Sequence, residues 1–513
     1  VRSWWGWGRA DRALDDEQVR ALAGRVRPLL PLDGAVTPVP DVPPLPEPRI
    51  RPPSSLAHLA TDDDPDRAAH SFGKAYRDVV RALAGRVDHP PDLVVRPDSE
   101  RAVAAVLDWA GETGTVVVPY GGGTSVVGGV EYRGDRPWVS MDLGRLDRVT
   151  DVDRTDLTAR VEAGTFGPAL EDALRPHGLT LRHFPQSFEF STVGGWVATR
   201  AGGHFATGPT HIDDLVQALR VVTPAGVGET ARVPASGAGP APDRLFIGSE
   251  GVLGVITAAW LRVRHRPRVT AAATIRFDGD AAGAAAVRAI VQSGLQPANC
   301  RLLDPLEAAV SAGVTDGGAR LLLGFESADA PVDALLAHAV DIARAHGGTA
   351  PPAGDKQVAA TWRDSFLRAP YVRDALVRLG VIIETVETAC PWDRFPGLRA
   401  AVVAAARAAG PRGHTHVSYR FTHVYPDGPA PYFTILAPAP RGAEVGCWDD
   451  IKAAVNDAIA GNGGTVTHHH AVGRDHRRWY DEERTGPFGA ALRAAKATLD
   501  PHGILNPGVL IDA

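Results

Sequence analysis

PYGGGTSVVGG, residues 119–129, follows the apolar run TVVVPY of residues 115–120, which reads as a buried strand leading into a glycine cluster. Gly121, Gly122 and Gly123 have no Cβ, so successive N–H groups can point into one concavity, and Thr124 and Ser125 add hydroxyl donors suited to a pyrophosphate. It is neither of the two commonest nucleotide loops. The lysine of a Walker A loop is missing, and the glycines do not fall at GxGxxG spacing. A three-glycine loop alone is more often a tight turn than a ligand site. Its neighbours reverse that reading: QSFEFSTVGGWVATRAGGHFATG (186–208) and GSEGVLGVITAAWLRVR (248–264) are two more small-residue clusters. They are interleaved with the strand-like runs WVSMDLGRL, ARVEAGT and LVQALRVVTPAG, and three such loops in one mixed α/β stretch are hard to explain as coincident turns.

Length and composition bound the problem further. A chain of 513 residues is long enough for about two to four domains. The hydrophobic fraction of 44% and charged fraction of 22% are ordinary for a globular protein, and no apolar run approaches the roughly 18 residues of a membrane span. The opening VRSWWGWGRADRAL lacks the pattern of a secretory signal, and Cys300, Cys390 and Cys447 are too few and scattered for a disulfide framework, so a reducing cytoplasm is expected. The Ala/Arg/Gly/Pro bias points to a GC-rich bacterial genome, and Val1 to a valine start codon read literally. Net charge of −6 offers no basic field for nucleic acid, which is not expected as a partner.

Taken in order, residues 1–90 hold an aromatic cluster (Trp4, Trp5, Trp7), the helical pattern DDEQVRALAGRV and a proline-rich tract from Pro31 to Pro53, too dense in proline for helix or central strand and therefore an extended strap. SERAVAAVLDWAGETG reads as an amphipathic helix ahead of the first loop. Residues 91–267 are expected to form one domain. From 268 to 455 the strand-like runs RVTAAATIRF, GARLLLGFES and HTHVSYRFTHVYP alternate with alanine-rich helices, a second α+β domain. Residues 456–513 are expected to be helical and to carry the histidine run.

Seven segments together resemble the vanillyl-alcohol-oxidase type of flavoprotein with a PCMH-type FAD-binding domain, and more narrowly the alkyl-dihydroxyacetonephosphate synthases. They are RSWWGWG, PYGGGTS, QSFEFSTVGGWVATRAGG, EGVLGVI, ETACPWDRF, SYRFTHVYPDGPAPYFT and HHHAVG. The glycine loops indicate the wider FAD family; the last three segments are the specific ones. The resemblance implies an α+β fold: the FAD domain, a second α+β substrate or cap domain, and C-terminal helices folded back to bring the histidines over the flavin. It implies a pyrophosphate against Pro119, Tyr120, Gly121, Gly122, Gly123, Thr124 and Ser125. The isoalloxazine would lie near Gln186, Ser187, Phe188, Glu189, Phe190, Ser191 and Thr192, and near Thr199, Arg200, Ala201 and Gly202. Glu250, Gly251, Val252, Leu253, Gly254, Val255 and Ile256 would close over the cofactor. With no histidine or cysteine in the first loop, the FAD is expected to be non-covalent.

By the same resemblance, the reaction replaces the acyl group of acyl-dihydroxyacetone phosphate by a long-chain alcohol with no net redox. C1 loses a proton and is carried on flavin N5 while the carboxylate leaves and the alcohol enters. Such chemistry needs an anion anchor, a proton shuttle and nearby cations. The carried-over roles are Arg373 as anchor, Tyr432 as proton donor and acceptor, His468, His469 and His470 as its relay, and Arg301 as support for the flavin. A lipid-like substrate, peripheral membrane contact and a homodimer are compatible with that reading. QSFEF departs from the family's acidic residue before the serine, and AVGRDHRRW from a more lysine-rich stretch, which leaves the alcohol open. The enzymatic alternative is an FAD-dependent oxidoreductase of a 2-hydroxy acid or alcohol, and the non-enzymatic one a flavin-binding scaffold.

Plainer readings stand beside these. An arginine in a helical pattern beside Asp374 is ordinarily a surface ion pair, and a tyrosine in a strand-like run ordinarily core. Adjacent histidines point in different directions and lack the spacing of a zinc site, so no metal is assigned. His414, His416 and His423 read as alternating along one strand, a polar pocket wall rather than a metal-binding HxH. The tryptophan cluster reads as a packing plug.

Overall fold

In the computed structural model, residues 2–351 and 358–512 are described, the side chains of 358–367 excepted. Three sheets organise them. The first has the order Ala60–Thr61, Leu93–Val95, Trp138–Asp142, Val116–Tyr120, and its last three strands run parallel. Parallel strands are covered on both faces, which is why LVV and VVVPY are continuous apolar runs rather than alternating ones. The crossover between Leu93–Val95 and Val116–Tyr120 is the helix Glu100–Thr113. Ser99 caps its start by accepting the Ala102 amide, and Gly114, at φ +67°, ends it in the left-handed turn that glycine favours.

The second sheet is antiparallel, in the order Val149–Asp153, Thr158–Glu162, Val255–Arg262, Val216–Thr223, Gly226–Glu229. It shares one apolar core with the first: Val117, Val139 and Met141 pack in the same cluster as Val161, Val221, Val255 and Trp196. The third sheet, six antiparallel strands, runs Val269–Phe277, Ala319–Ser327, Asn299–Leu303, His416–Val424, Pro429–Pro438, Val381–Glu387.

Period-two alternation splits the third sheet into a dry face and a wet one. Ile382, Val386, Tyr419, Phe421, Phe433 and Ile435 pack in the core with the helices Asp280–Gln292, Phe395–Ala409 and Glu444–Gly461. Ile383, Thr385, Arg420, Tyr432 and Thr434 point the other way, into a cavity. Three residues share one cross-strand row: Glu387 pairs with Tyr432, and Tyr432 with Arg420.

The ends of the chain tie the sheets together. The helix Asp16–Val26 opens with a capping box between Asp15 and Gln18, and the proline tract after it runs without helix or strand to residue 49. Near the C-terminus, Val117 donates to the Ile504 carbonyl and Asn506 to that of Val117, so residues 504–506 extend the edge of the first sheet. The expected boundary between 455 and 456 falls inside a single helix, Glu444–Gly461, whose apolar stripe does not stop there: Ile451, Val455 and Ile459 are all buried.

Candidate active site

A cavity of about 1230 Å³ lies between the glycine loops and the wet face of the six-stranded sheet. Its floor is backbone-rich. Pro119 to Ser125 line it, joined by Gln186, Ser187, Ser191, Thr192, Thr199, Ala201 and Gly202 from the second loop and by Glu250, Gly251, Gly254 and Ile256 from the third. A Cβ on Gly121 would meet Thr192 Oγ1 at 2.3 Å, and one on Gly122 would meet the Phe190 carbonyl oxygen at 1.9 Å. The glycines are therefore required first by the packing of one loop on the next. Gly123 has φ +62°, and among the described residues none accepts a hydrogen bond from the amides of Gly122, Gly123 or Thr124. Spare amides with two hydroxyls form a nest for an anionic diphosphate. The donor set fits FAD, whose phosphates Pro119 to Ser125 could hold.

Not every residue expected at the flavin reaches the cavity. Phe188 stacks on Trp196 (6.2 Å between centroids, 15°), and Phe190 meets Trp7 edge-on at 6.0 Å. Glu189 is exposed, 3.5 Å from Arg12. Arg200 turns away at φ +52° to pair with Asp213 at 3.1 Å. Val252 and Leu253 join a separate apolar cluster with Leu492 and Val509, and Val255 is core. In each case a ring contact, apolar burial or an ion pair elsewhere takes the side chain.

The roof is made of side chains: Arg301, Arg373, Arg420, Thr422, His423, Tyr432, Thr434, His469 and His470. Tyr432 is buried, which raises its phenol above the usual value, while the Arg420 guanidinium, 4.0 Å from the ring centroid, and a hydrogen bond with Thr385 oppose that shift. Arg420 is held by Glu307 at 2.8 Å. Arg301, fully buried, donates to the His204 carbonyl at 3.1 Å, and burial followed by the proximity of Arg420 lowers it to about 9. Arg373 also faces the cavity, but Nε and Nη2 are engaged on Asp374 Oδ1 at 2.9 and 2.7 Å, and Nη1 on the Lys74 carbonyl. The same carboxylate takes the Trp7 amide, so the tryptophan-rich opening is packed against this arginine, and Arg2 donates to the Gly122 carbonyl.

The histidines divide. His469 stacks near Tyr432 (6.2 Å, 18°) and His470 meets it edge-on (5.7 Å, 81°). His468 does not line the cavity; its Nε2 lies 2.9 Å from the Tyr425 hydroxyl. Burial lowers all three, His469 to about 3. His414 precedes the His416–Val424 strand and His416 Nε2 bonds the Leu29 carbonyl, so the three-histidine wall read from the sequence is not formed. His423 alone of that set reaches the cavity, because a bulge between Phe421 and His423 re-aims it. One ring nitrogen each of His423, His468 and His469 lies within 4.8 Å of the others.

Beyond the roof the cavity continues as an apolar arm lined by Leu14, Leu22, Val26 and Leu29 of the N-terminal segment, Leu306 and Val310, and Val372 and Leu376. Arg420, Glu387 and Thr385 were not singled out by sequence reasoning, whereas His423 was, as part of a polar pocket wall. Arg420 and His423 lie in SYRFTHVYP and Glu387 opens ETACPWDRF, so two of the specific segments carried the signal.

Comparison with known proteins agrees with this geometry. The FAD binding domain profile matches residues 91–231, and that of the C-terminal domain of FAD linked oxidases matches residues 266–510. Alkyldihydroxyacetonephosphate synthase of Dictyostelium discoideum is 30% identical over 483 residues, 88% of this chain and 78% of that protein. The Caenorhabditis elegans protein of the same name is 31% identical over 482 residues, 87% of this chain and 80% of its own. A solved alkyldihydroxyacetonephosphate synthase superposes with a TM-score of 0.81 at 26% identity, covering 99% of this chain and 98% of that one. FAD is thus the cofactor, nothing indicates its covalent attachment, and the chain belongs to the alkyldihydroxyacetonephosphate synthase family.

Proposed function

We propose that the protein exchanges the acyl group of acyl-dihydroxyacetone phosphate for a long-chain alkyl group, using FAD without net redox. The observation that carries the reading is the placement of a phenol, two imidazoles and a guanidinium, Tyr432, His469, His470 and Arg420, opposite the FAD cradle at the head of an apolar arm. Bound FAD supplies the electrophile and electron sink that the exchange requires. Tyr432 takes and returns the C1 proton, with Arg420 over its ring favouring the ionised form. His469 and His470, beside the same ring, accept or return that proton. Arg373 contributes positive charge to the substrate's phosphate through hydrogens not spent on Asp374. The arm takes the acyl and alkyl chains, whose contact with its leucines and valines removes apolar surface from water.

No helix among the described residues is long and apolar enough to cross a membrane. We place the enzyme in the cytoplasm, in peripheral contact with the membrane that supplies its substrates. The test is turnover without an electron acceptor. Under anaerobic conditions, acyl-dihydroxyacetone phosphate and a labelled hexadecanol should give labelled ether and free fatty acid in equal amounts, with the flavin spectrum oxidised at the end. Lasting bleaching of the flavin by substrate, with no ether formed, would instead assign an oxidoreductase.

A further inference from the structure

The histidine run has no helix or strand of its own; residues 464–470 form an irregular loop closed by Ala471 in the left-handed region at φ +72°. Glu483 accepts from Thr465 and Val466 at its start, and one side chain gathers the amides of all three histidines. Glu387, at the end of the Val381–Glu387 strand and 1% exposed, accepts the amides of His468 (2.5 Å), His469 (3.1 Å to each oxygen) and His470 (2.8 Å), and the Thr467 hydroxyl (2.6 Å). Three consecutive N–H groups converging on one point make an anion nest, here filled by the protein's own carboxylate. Burial opposes its ionisation, yet the surrounding histidines and Thr467 hold it well below the usual carboxylate range.

The same carboxylate faces the rings. His469 Nδ1 lies 3.4 Å from Glu387 Oε2, and His470 Nδ1 lies 3.7 Å from Oε1. Donor and acceptor counting then fixes the protons along one chain of contacts. A carboxylate only accepts, so this contact favours the proton of neutral His469 on Nδ1. That proton is shared with His468 Nδ1, 3.2 Å away, which must accept and therefore carries its own proton on Nε2, donated to the Tyr425 hydroxyl at 2.9 Å. Tyr425 donates to Thr210 Oγ1 (2.9 Å), which donates to His211 Nδ1 (3.2 Å), and His211 Nε2 closes the ring on the His468 carbonyl (2.9 Å). The His468 carbonyl can only accept from His211 Nε2, so the circuit runs in this one sense, and it agrees with the tautomer that the Glu387 carboxylate favours. His423, bonded through Nε2 to the Gly203 carbonyl, flanks the circuit on one side, and Arg420, Lys452, Glu384 and His476 surround it on the others.

We propose that Glu387 is a positioning residue which fixes His469 as the Nδ1–H tautomer, so that Nε2, on a ring lining the cavity beside Tyr432, is the proton-accepting atom. This deepens the reading above and rests on it for its role in turnover. A carboxylate that sets an imidazole's tautomer contributes to rate without touching the reactants. Glu387→Gln reverses the cue, since the amide can donate toward His469 Nδ1 as well as accept.

The test is long-range 1H–15N spectroscopy at pH 7 of the FAD-loaded protein labelled on histidine, with His469→Gln supplying the assignment. Wild type should show His469 with Nδ1 protonated and His468 with Nε2 protonated; in Glu387→Gln, which removes one of the two cues, the Nε2–H form of His469 should gain population. Ether formation by Glu387→Gln, at retained flavin content, should lose at least tenfold in kcat with KM within about threefold. A wild-type His469 found as Nε2–H overturns the proposal without any variant. So does a Glu387→Gln protein whose tautomers and kcat are unchanged. Should Glu387→Gln fail to retain FAD, the wild-type spectrum and Glu387→Asp, which keeps the charge, still decide it. If the wild-type tautomers are as stated but no ether is formed, the reaction assignment fails and the tautomer assignment stands.

Discussion

The two walls of the cavity are built on opposite principles. The floor is three loops in which glycine and small hydroxyl residues bring main chain to the ligand, and its spare amides suit the phosphates of one cofactor. The roof is strands whose side chains, alternating at period two, place Arg420, Tyr432 and Glu387 in one row across three strands. A floor of main chain tolerates almost no added atoms but has little chemistry to lose. A roof of side chains can lose a functional group and keep its shape. Binding and reaction are therefore separable in this molecule by where a substitution is made.

That separation can be broken at the floor with the largest effect. Gly122→Leu should abolish FAD retention altogether, because its Cβ would sit 1.9 Å from the Phe190 carbonyl oxygen, a backbone atom that cannot swing aside. The absorbance near 450 nm of the purified variant reads the outcome, and a variant that stays yellow at full stoichiometry removes the argument for loop-on-loop packing. At the roof, Tyr432→Phe keeps the ring under Arg420 and removes only the hydroxyl. Flavin content and thermal midpoint should be nearly unchanged while ether formation falls by roughly two orders of magnitude, the size of a lost acid/base group. Full turnover in that variant would deny Tyr432 its role and leave the imidazoles as the only proton carriers.

The smallest effect sharpens the comparison from within the floor. Glu250 is buried there and accepts the Val472 and Gly473 amides, and burial outweighs those bonds to push its carboxyl up to about 7. The sign follows from proton counting. Between the unfolded carboxyl's ordinary value of about 4.3 and 7, the folded state holds the proton and the unfolded state does not, so stability falls as pH rises through this window. The loss is on the order of 3 kcal/mol. Denaturant midpoints measured from pH 5 to 8 should decline in wild type and decline less in Glu250→Gln. Parallel curves would mean that Glu250 is ionised in the folded protein throughout.

The two walls were also unequally legible. The strand, helix and loop order around Pro119 could be read locally, because Ser99, Gly114 and the apolar runs each act within a few residues of themselves. The side chains that miss the cavity, Phe188, Phe190 and Arg200 among them, show the limit of that reading: a loop segment was assigned whole, whereas only some of its residues face inward. The roof depends on which strands become neighbours. Glu387, Tyr432 and Arg420 are separated by up to 45 positions, and neither their shared row nor the bulge that turns His423 inward is expressed in local composition. Tyr432 and the histidines came from segment resemblance; Glu387 stood at the start of such a segment and passed without a role.

The pairing of Val117 with residues 504–506 has a consequence for how the molecule is made. The strand that feeds the first glycine loop is synthesised early, yet its outer edge is completed by amides and carbonyls translated almost four hundred residues later. Asn506 also reaches the carbonyls of Gly129 and Glu250, so two of the three loops wait on the same side chain. On a ribosome adding residues from the N-terminus, the cofactor site is begun with the first loop and finished only once residues 504–506 have been made. FAD is therefore acquired after those residues, and until then an unpaired strand edge must be kept from other partners.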